Sequence, residues 1–371
     1  MKTVLFIHSS SELYGSDKSL LYLIQNLDKS KFNVHVILPE DGPLVEKIKE
    51  DKNVIIHIFE VAVLRRKNFS LKGGFSYIIN FYNSFKYLSK YIKKNKIDIV
   101  YTNTAVVFPG AIAAKINNVK SVWHIREIIK NKAENYIIGK MVNSFSDIII
   151  ANSLATGNAI CKDKTKMKVI YNAVEEKKSK TNINSNKNNH VYIGMAGRIN
   201  RWKGQTLFID AAEIVHSRCP NAKFLIGGSA YKGEEYLLDE LNIYISSKNL
   251  DNVINTLGQI DDMDSFYDKL DIFVLPSIQP EPFGLVVIEA MEKEIPVIAT
   301  NHGGPTEIIN NNTDGYLVNH NSPDEMADKI IYLINNVNKR EIIGKRGQEK
   351  KRNMFSLNKT VGEIEQVLLN L

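Results

Sequence analysis

Short apolar runs that end in small or polar residues recur along the chain, and each leads toward a helical pattern. The first run, TVLFIHSS, precedes a turn around Gly15 and the helical pattern SLLYLIQNL. Further strand-like runs lie at residues 33–38, 54–59, 97–102, 121–125, 147–151 and 168–171. Strands that alternate with helices favour an α/β fold, in which a parallel sheet is covered on both faces.

A second series of the same kind follows a polar segment, residues 175–190, which is typical of a linker. Its runs are VYIGMAGR, AKFLIGGS, DNVINTLG, DIFVLPS and IPVIATN. A chain of 371 residues is long for one core, so two domains are expected. We expect one lobe at residues 1–185, a second at 186–355 and a final amphipathic helix at 356–371.

The net charge of +7 is unevenly distributed between the two halves. Residues 1–190 carry 30 Lys and Arg against 16 Asp and Glu, whereas residues 191–371 carry 18 against 25. A basic first half suits an anionic partner such as a phosphate-bearing substrate, an anionic lipid or a nucleic acid. A solvated lysine-rich surface explains the same charge. Of these classes of partner we expect a phosphate-bearing substrate and an anionic membrane surface, and no nucleic acid.

Targeting and metal-binding signals are missing from the sequence. Met1 leads directly into the first apolar run, without a basic flank or a cleavage site, and no apolar stretch is long enough to span a bilayer. Cys161 and Cys219 are far apart and have no metal-ligand spacing. We therefore expect a protein of the reducing cytoplasm.

The most informative segment reads PSIQPEPFGLVVIEA. Phe283, Gly284 and Leu285 open a helical pattern directly after a predicted strand. A helix start presents unpaired N–H groups and the positive end of the helix dipole, which suit a phosphate. Glu281 precedes this helix, and Glu289 lies about two turns further on. Both carboxylates can therefore contact one extended ligand at different points, although a cap and a salt bridge are the plain alternatives.

Two other groups of residues follow predicted strands in the same half. Gly303 and Gly304 come after PVIAT and permit the close approach of a backbone or a ligand. Gly197 and Arg198 come after VYIGMA, and Lys203 precedes the next helical pattern. A basic pair in this position can neutralise a diphosphate. Taken alone, a tight turn and two solvated cations explain these residues equally well.

Together these segments resemble the retaining GT-B glycosyltransferases of the large group-1, or family 4, class. The E-x7-E motif is Glu281 to Glu289, within EPFGLVVIEA, and GRINRWKG, DIFVLPS and the GG pair also match. The first half matches more loosely, through the loop around Gly15, His124 in SVWHIRE, and the ANS and YNAV segments. This first loop has Tyr14–Gly15 where the family often has two adjacent glycines.

The resemblance implies two Rossmann-like doubly wound lobes that face a central cleft, with the C-terminal helix crossing back to the first lobe. It also implies that Glu281 binds hydroxyls of the donor sugar and that Glu289 binds the nucleotide ribose. Arg198 and Lys203 would hold the diphosphate. The remaining donor-binding residues are expected to be Phe283, Gly284, Leu285, Gly197, Gly303 and Gly304.

Two residues of the first lobe receive a role through the same resemblance. His124 would reach the donor sugar from the opposite lobe, and it is counted with Glu281, Arg198 and Lys203 as catalytic. Gly15 would let the acceptor or a phosphate approach the first helix. The implied reaction moves a hexose from a UDP- or GDP-type sugar to a glycan or lipid-linked acceptor, with retention of configuration.

Charge grows on the leaving diphosphate in this reaction, and fixed cations and helix ends can stabilise it in place of a metal. We therefore expect no metal and no further cofactor. Asp262–Met263–Asp264 spells the D-x-D metal motif of a different glycosyltransferase fold. These residues stand just before a helical pattern, so helix capping is the expected role.

Other functions remain open for a chain of this shape. A sugar-nucleotide epimerase and a glycan phosphorylase can share the fold, although the E-x7-E motif disfavours the first and the short chain the second. A non-catalytic sugar-nucleotide-binding partner is a third possibility, which the intact set of four charged residues disfavours. The Lys-, Asn- and Ile-rich composition is typical of an AT-rich bacterial genome, so family analogy suggests surface polysaccharide assembly.

The segment between residues 64 and 96 combines a basic turn with a helical run. Arg65, Arg66 and Lys67 stand beside Phe69, and we hypothesise that this turn binds an anionic membrane reversibly. The helical run that follows carries an apolar stripe with interleaved lysines. We expect this stripe to pack on the core and its lysines to be solvated. The stripe consists of Ile78, Ile79, Phe81, Tyr82, Phe85, Leu88, Tyr91 and Ile92.

Overall fold

The computed structural model describes residues 1–65, 68, 70–176 and 190–371, without the side chain of Leu71. The described chain divides into two compact units. Unit 1 comprises Met1–Ala173 and Leu357–Leu371, and unit 2 comprises Val174–Ser356. The boundary expected between residues 185 and 186 lies outside the described residues.

Unit 1 has a parallel sheet of seven strands in its described part. The strands are β1 Lys2–Ile7, β2 Phe32–Leu38, β3 Val54–Ile58, β4 Ile99–Thr102, β5 Lys120–Ile125, β6 Ile148–Ala151 and β7 Met167–Val169. They lie in the order β3-β2-β1-β4-β5-β6-β7. The helices are α1 Gly15–Asn26, α2 Pro43–Lys49, α3 Leu71–Lys94, α4 Pro109–Ile116, α5 Lys132–Phe145 and α6 Leu154–Ile160.

Unit 2 repeats this plan with six parallel strands among its described residues. The strands are β8 Val191–Ala196, β9 Ala222–Gly227, β10 Ile254–Gly258, β11 Ile272–Leu275, β12 Val297–Thr300 and β13 Tyr316–Val318. They lie in the order β10-β9-β8-β11-β12-β13. The helices are α7 Gln205–Arg218, α8 Tyr236–Ser247, α9 Met263–Tyr267, α10 Leu285–Glu292, α11 Pro305–Ile308, α12 Pro323–Asn335 and α13 Val337–Met354.

Both sheets have the strand order of a doubly wound Rossmann fold, so the predicted fold class is confirmed. The predicted strands are found within two residues of their expected ends, except that β10 begins at Ile254, three residues after the start of DNVINTLG. The strands are apolar over nearly their whole length because helices cover both faces of a parallel sheet. The strand order reverses between β1 and β4 in unit 1 and between β8 and β11 in unit 2. Open α/β sheets bind ligands at the carboxyl ends of the strands on either side of such a point.

The last helix, α14 Leu357–Leu369, belongs to unit 1. This agrees with the prediction that the C-terminal helix crosses back to the first lobe. Val361, Ile364 and Leu368 are buried in the same apolar cluster as residues of α1. The Thr360 hydroxyl donates a 2.9 Å hydrogen bond to the carbonyl of Tyr171. The chain's C-terminal helix therefore completes the core of the unit that contains its N-terminus.

Helix α3 differs from its expected packing. Leu88 and Ile92 are buried as predicted, but the prediction is wrong for Ile78, Ile79 and Tyr82, which are 65%, 49% and 62% exposed. The residue pattern could not show this, because a helix repeats every 3.6 residues whether its apolar stripe faces a core or the solvent. Across the described residues, no helix is both long enough and apolar enough to cross a membrane.

The basic turn that precedes α3 is only partly described. Arg66, Lys67 and Phe69 lie outside the described residues, and Arg65 is exposed. The membrane-binding role assigned to this turn therefore stays a prediction.

Candidate active site

The carboxyl ends of β8, β11 and β12 bring together the polar residues of unit 2. Strands β8 and β11 are neighbours, and the strand order reverses between them. Gly197 and Arg198 follow β8, Ser277 follows β11, and His302 and Gly303 follow β12. Residues that are far apart in sequence thus share one sheet edge.

An ion pair between a buried carboxylate and a partly buried ammonium joins two of these strand ends. The Lys203 Nζ lies 2.8 Å from both carboxylate oxygens of Glu281, although the two residues are 78 positions apart. The hydroxyl of Ser277 donates a further 2.8 Å hydrogen bond to Oε2 of Glu281. Glu281 is 7% exposed and Ser277 is fully buried. Little water screens the pair, so the structure fixes one anionic and one cationic group side by side.

The loop between β8 and α7 fixes the position of Lys203. The side-chain oxygen of Asn200 accepts hydrogen bonds from the backbone N–H groups of Trp202 and Lys203, at 3.1 and 2.9 Å. The Lys203 Nζ lies 4.5 Å from the centre of the Trp202 ring. Gly204 has φ 79°, and a Cβ there would lie 1.8 Å from the carbonyl oxygen of Pro276. Only glycine lets this loop lie so close to the end of β11.

Residues at the carboxyl end of β12 and just after it hold Ser277 in place. Its carbonyl oxygen accepts hydrogen bonds from the Thr300 hydroxyl and from Nε2 of His302, both at 2.7 Å. The His302 ring stacks on His320, with 4.7 Å between the ring centroids. Because Ser277 also donates to Glu281, these contacts connect the end of β12 to the Glu281 carboxylate.

Two glycines bring the loop after β12 directly against the backbone of Glu281. Gly303 forms an isolated parallel bridge with Glu281, and the N–H of Gly304 donates to the Glu281 carbonyl at 2.7 Å. Gly303 has φ 68°, and a Cβ there would lie 2.3 Å from the backbone carbonyl oxygen of Glu281. A Cβ on Gly304 would lie 2.4 Å from Cα of Phe283. Side chains at either position would push the E-x7-E segment out of place.

We expect Gly303→Ala to reduce both stability and transfer activity, because the new Cβ would displace Glu281. Gly258→Ala is a matched control: φ is 65° there, but nothing lies within 4 Å of the added Cβ. The control should lose only about 1–2 kcal/mol of unfolding free energy, the cost of a left-handed residue. Chemical denaturation and initial transfer rates measure the two effects. Equal losses in the two variants would contradict this role for Gly303.

Glu289 lies inside α10, which begins at Leu285. Gly284 caps the helix with φ 101°, and α10 starts directly beside the loop of Gly304. The hydroxyl of Tyr267 donates a 2.8 Å hydrogen bond to Oε2 of Glu289. Burial, reinforced by the neighbouring Glu289 carboxylate, raises the pKa of Tyr267 well above its ordinary value. The Tyr267 hydroxyl therefore keeps its proton and orients one oxygen of Glu289.

Arg198 is stacked at the end of β8. Its guanidinium carbon lies 3.7 Å from the centre of the Tyr231 ring, a cation–π contact. Gly228, in the loop after β9, has φ 133°, and a Cβ there would lie 1.9 Å from the carbonyl oxygen of Gly197. The close contact between these two glycines brings the loop that carries Tyr231 beside Arg198.

The D-x-D sequence has the structural role expected for it. Asp262 caps α9 by accepting a 3.1 Å hydrogen bond from the N–H of Ser265, and Asp264 forms a 3.2 Å ion pair with Lys293. Both carboxylates are thus engaged in local structure.

Unit 1 contains a buried polar network at the carboxyl edge of its own sheet. Arg126, directly after β5, donates to the side-chain oxygens of Asn103 at 2.8 Å and Asn172 at 2.6 Å. Nδ1 of His8 lies 3.1 Å from the Asn103 carbonyl oxygen, and its Nε2 lies 2.8 Å from Asp17. All five residues are less than 9% exposed. The network fixes a buried guanidinium at the end of β5.

His124 is enclosed within unit 1. Its Nδ1 lies 2.6 Å from the Tyr101 hydroxyl and 3.3 Å from a guanidinium nitrogen of Arg126, and the ring is 1% exposed. Burial, and secondarily the Arg126 charge, lowers its pKa well below the ordinary value, so the imidazole is neutral. It lines a small cavity beneath α14. Its role at the donor sugar stays a prediction, as does that of Gly15, the first residue of α1.

Sequence reasoning missed several residues that complete these arrangements. In unit 2 these are Ser277, Tyr267 and Tyr231, each of which orients a predicted site residue. In unit 1 it missed Arg126, two positions after His124. The available signal was position: Arg126 directly follows β5 and Ser277 is the second residue after β11, at strand ends where open α/β sheets place functional groups.

Two Rossmann-like units with this site define a protein of the GT-B class. The family described as glycosyl transferases group 1 matches residues 174–350, and glycosyltransferase family 4 matches residues 14–178. An uncharacterized glycosyltransferase of Methanocaldococcus jannaschii is 32% identical over 329 residues, which cover 86% of this chain and 85% of the relative. The chain therefore belongs to the group-1 glycosyltransferases.

Two further proteins are similar over nearly their whole length. A UDP-Gal:alpha-D-GlcNAc-diphosphoundecaprenol alpha-1,3-galactosyltransferase of Escherichia coli is 26% identical, over 97% of this chain and 94% of the relative. The structure of Anabaena HepE in complex with UDP superposes with a TM-score of 0.83 at 25% identity, over the full length of both chains.

Proposed function

We propose that this glycosyltransferase moves a hexose from a nucleoside-diphosphate sugar to a glycan or lipid-linked acceptor, with retention of configuration and without a metal. The observation that supports the proposal is the Lys203–Glu281 ion pair. Its carboxylate belongs to the residue four positions before the first residue of α10. A neutral ligand would gain little from a fixed ammonium. A diphosphate next to a sugar fits both charges, because phosphate oxygens accept from the ammonium and sugar hydroxyls donate to the carboxylate.

In this proposal, different residues of unit 2 bind the diphosphate, the sugar and the ribose of the donor. The diphosphate lies against Lys203 and Arg198 and against the start of α10, whose dipole and N–H groups favour an anion. Glu281 accepts hydrogen bonds from hydroxyls of the sugar. Glu289, about one turn into α10, binds the ribose hydroxyls. Gly303 and Gly304 let the loop after β12 pack against the backbone of Glu281 and Phe283, and so help to hold the Glu281 carboxylate at the sugar.

The chemistry follows from these positions. As the bond between the anomeric carbon and the diphosphate oxygen breaks, negative charge grows on the leaving oxygen, and Lys203 and Arg198 stabilise it. The acceptor hydroxyl attacks from the face that the diphosphate leaves, which preserves the anomeric configuration. The leaving phosphate takes the acceptor's proton, so no side chain of the protein forms a covalent intermediate.

The relatives support the donor and acceptor classes. HepE was solved with UDP and with UDP-glucose, and the Escherichia coli relative is named for a galactosyl transfer to a diphosphoundecaprenol-linked sugar. We accordingly propose a UDP-sugar donor and a role in surface polysaccharide assembly. The reaction would take place at the cytoplasmic face of the cell membrane, where a lipid-linked acceptor is presented.

Thermal unfolding in the presence of nucleoside diphosphates and their sugars tests the donor class. A ligand at about a hundred times its Kd should stabilise the protein by about 2.7 kcal/mol. Incubation with the stabilising sugar nucleotide and a lipid-diphosphate-linked sugar should then give a product whose NMR coupling constant matches the donor's anomeric configuration. An inverted product, or no stabilisation by any nucleotide, would refute the proposal.

Glu289→Ala should weaken UDP binding roughly 10- to 100-fold, the usual effect of losing hydrogen bonds to a charged group. Tyr267→Phe should weaken it less, because the carboxylate stays and only its orientation is lost. Glu341→Ala, an exposed position on α13, serves as the control. Isothermal titration measures all three affinities. An unchanged UDP affinity in Glu289→Ala would remove the ribose role.

A further inference from the structure

Helix α3 presents an exposed apolar surface that its own unit leaves uncovered. Phe75, Ile78, Ile79 and Tyr82, here called the α3 face, are 69%, 65%, 49% and 62% exposed. Their spacing of three and four residues places them on one side of the helix. Isolated exposed apolar residues are ordinary, but four neighbours with two aromatic rings form a contiguous patch of the kind that marks an interaction site.

The opposite side of α3 is firmly packed on unit 1. Leu88 and Ile92 are buried, and the Ser84 hydroxyl, fully buried, accepts a 2.9 Å hydrogen bond from the N–H of Ala62. The Tyr87 ring stacks on Phe59 with 3.8 Å between the centroids. The α3 face is therefore held outward by a rigid attachment.

The charge of α3 identifies what kind of surface the patch fits. The 24 residues of the helix contain no Asp or Glu. Lys86 and Lys90 continue the α3 face toward the C-terminus, at four-residue steps from Tyr82, and both are exposed. Lys72 precedes the face by one turn and is also exposed. An apolar patch on a helix whose charged residues are all lysines is complementary to a surface that is apolar inside and anionic outside.

We propose that the α3 face docks on an anionic lipid bilayer. Phe75, Ile78 and Ile79 would enter the boundary between headgroups and acyl chains, Tyr82 would lie at headgroup level, and Lys86 and Lys90 would contact lipid phosphates. A second copy of this helix fits poorly, because two such faces would bring like charges together. Docking through the α3 face would place unit 1 at the membrane that presents the proposed lipid-linked acceptor. The docking itself does not depend on the donor or on the reaction.

Sedimentation of the full chain with vesicles tests the docking. The wild type should bind vesicles of phosphatidylglycerol and phosphatidylcholine in equal parts at low salt, and it should bind pure phosphatidylcholine weakly. Phe75→Ser combined with Ile79→Ser should weaken binding by at least about tenfold, because it removes apolar area. Lys86→Ser combined with Lys90→Ser should weaken binding and flatten its salt dependence. Ile243→Ser, which changes a 69% exposed isoleucine on α8 of unit 2, is the matched control.

A reporter variant distinguishes this helix from the basic turn before it. Phe75→Trp should show emission that shifts to shorter wavelength when anionic vesicles are added, because the indole leaves water. Wild-type protein that stays in the supernatant, apolar variants that bind like the wild type, or an unshifted Phe75→Trp would each overturn the proposal. Loss of self-association instead of vesicle binding in the α3 variants, seen by analytical ultracentrifugation, would assign the face to a second copy and also overturn it. UDP-induced stabilisation, measured in the same samples, tests the donor proposal separately.

Discussion

Glu281→Gln is expected to lower turnover by about two to three orders of magnitude while the protein still binds UDP. The substitution keeps the side chain's size but removes the charge that pairs with Lys203 and that, in the proposed complex, orients the sugar hydroxyls. Because Glu281 contacts the sugar in the proposed complex and UDP has no sugar beyond its ribose, the loss should fall on the chemical step. Initial rates with a saturating sugar nucleotide, beside titration with UDP, separate the two effects.

The stability of Glu281→Gln in the absence of a ligand gives a second test of the Lys203–Glu281 pair. In Glu281→Gln, the ammonium of Lys203 is left in a nearly buried position without its counter-charge, which destabilises the folded protein. The diphosphate of UDP can then supply the missing charge, so UDP should raise the unfolding temperature more in the variant than in the wild type. Glu240→Gln is the control, because Glu240 pairs with Arg201 at an exposed position. Turnover in Glu281→Gln close to that of Glu240→Gln would refute the assigned role.

The sequence predicted which of these residues follow a strand or open a helix, because those positions depend on local order. A strand end, a glycine and a helix start are features of adjacent residues, so EPFGLVVIEA with its two carboxylates could be recognised directly. The contacts of those residues could not be recognised from the sequence, because they depend on strand order. Lys203 follows β8 and Glu281 follows β11; these strands are neighbours only because two other strands lie on the far side of β8.

The same reason explains the residues that were missed. Ser277 has no motif of its own, and its role comes from contacts with Glu281 and with Thr300 on the next strand. Tyr231 contacts Arg198 from a loop more than thirty positions away. Serine and tyrosine are common at surfaces and in turns, so neither identity suggests a site until the fold brings the partner near.

Unit 1 shows how strand geometry limits such predictions. His124 lies within β5, where alternate residues face opposite sides of the sheet and helices cover both. Its imidazole is consequently enclosed, whereas Arg126 stands just beyond the strand. The sequence SVWHIRE does not mark where the strand ends, and a shift of one or two residues decides which side chain the edge presents.

Lys203→Met should reduce transfer by about two to three orders of magnitude, because it removes a fixed cation from the site proposed for the leaving diphosphate. Folding should persist, since methionine fills much of the same volume beside Trp202, although the unpaired Glu281 carboxylate will lower the stability. Lys248→Met is the matched control: that ammonium also contacts carboxylates and a tyrosine ring, but it lies at the end of α8. Turnover measured by release of the nucleoside diphosphate should fall only in Lys203→Met.

Combining Lys203→Met with Glu281→Gln tests whether the two groups act as one device. If the ammonium and the carboxylate position each other, the double variant should lose little more activity than either single one, because the first substitution already destroys the arrangement. If the two groups contribute independently, the fold-losses of activity in the two single variants should instead multiply.

The same assay tests whether these cations act in place of a metal: EDTA should leave wild-type transfer unchanged. Activity that EDTA abolishes and magnesium or manganese restores would show that Lys203 and Arg198 do not suffice to stabilise the leaving diphosphate.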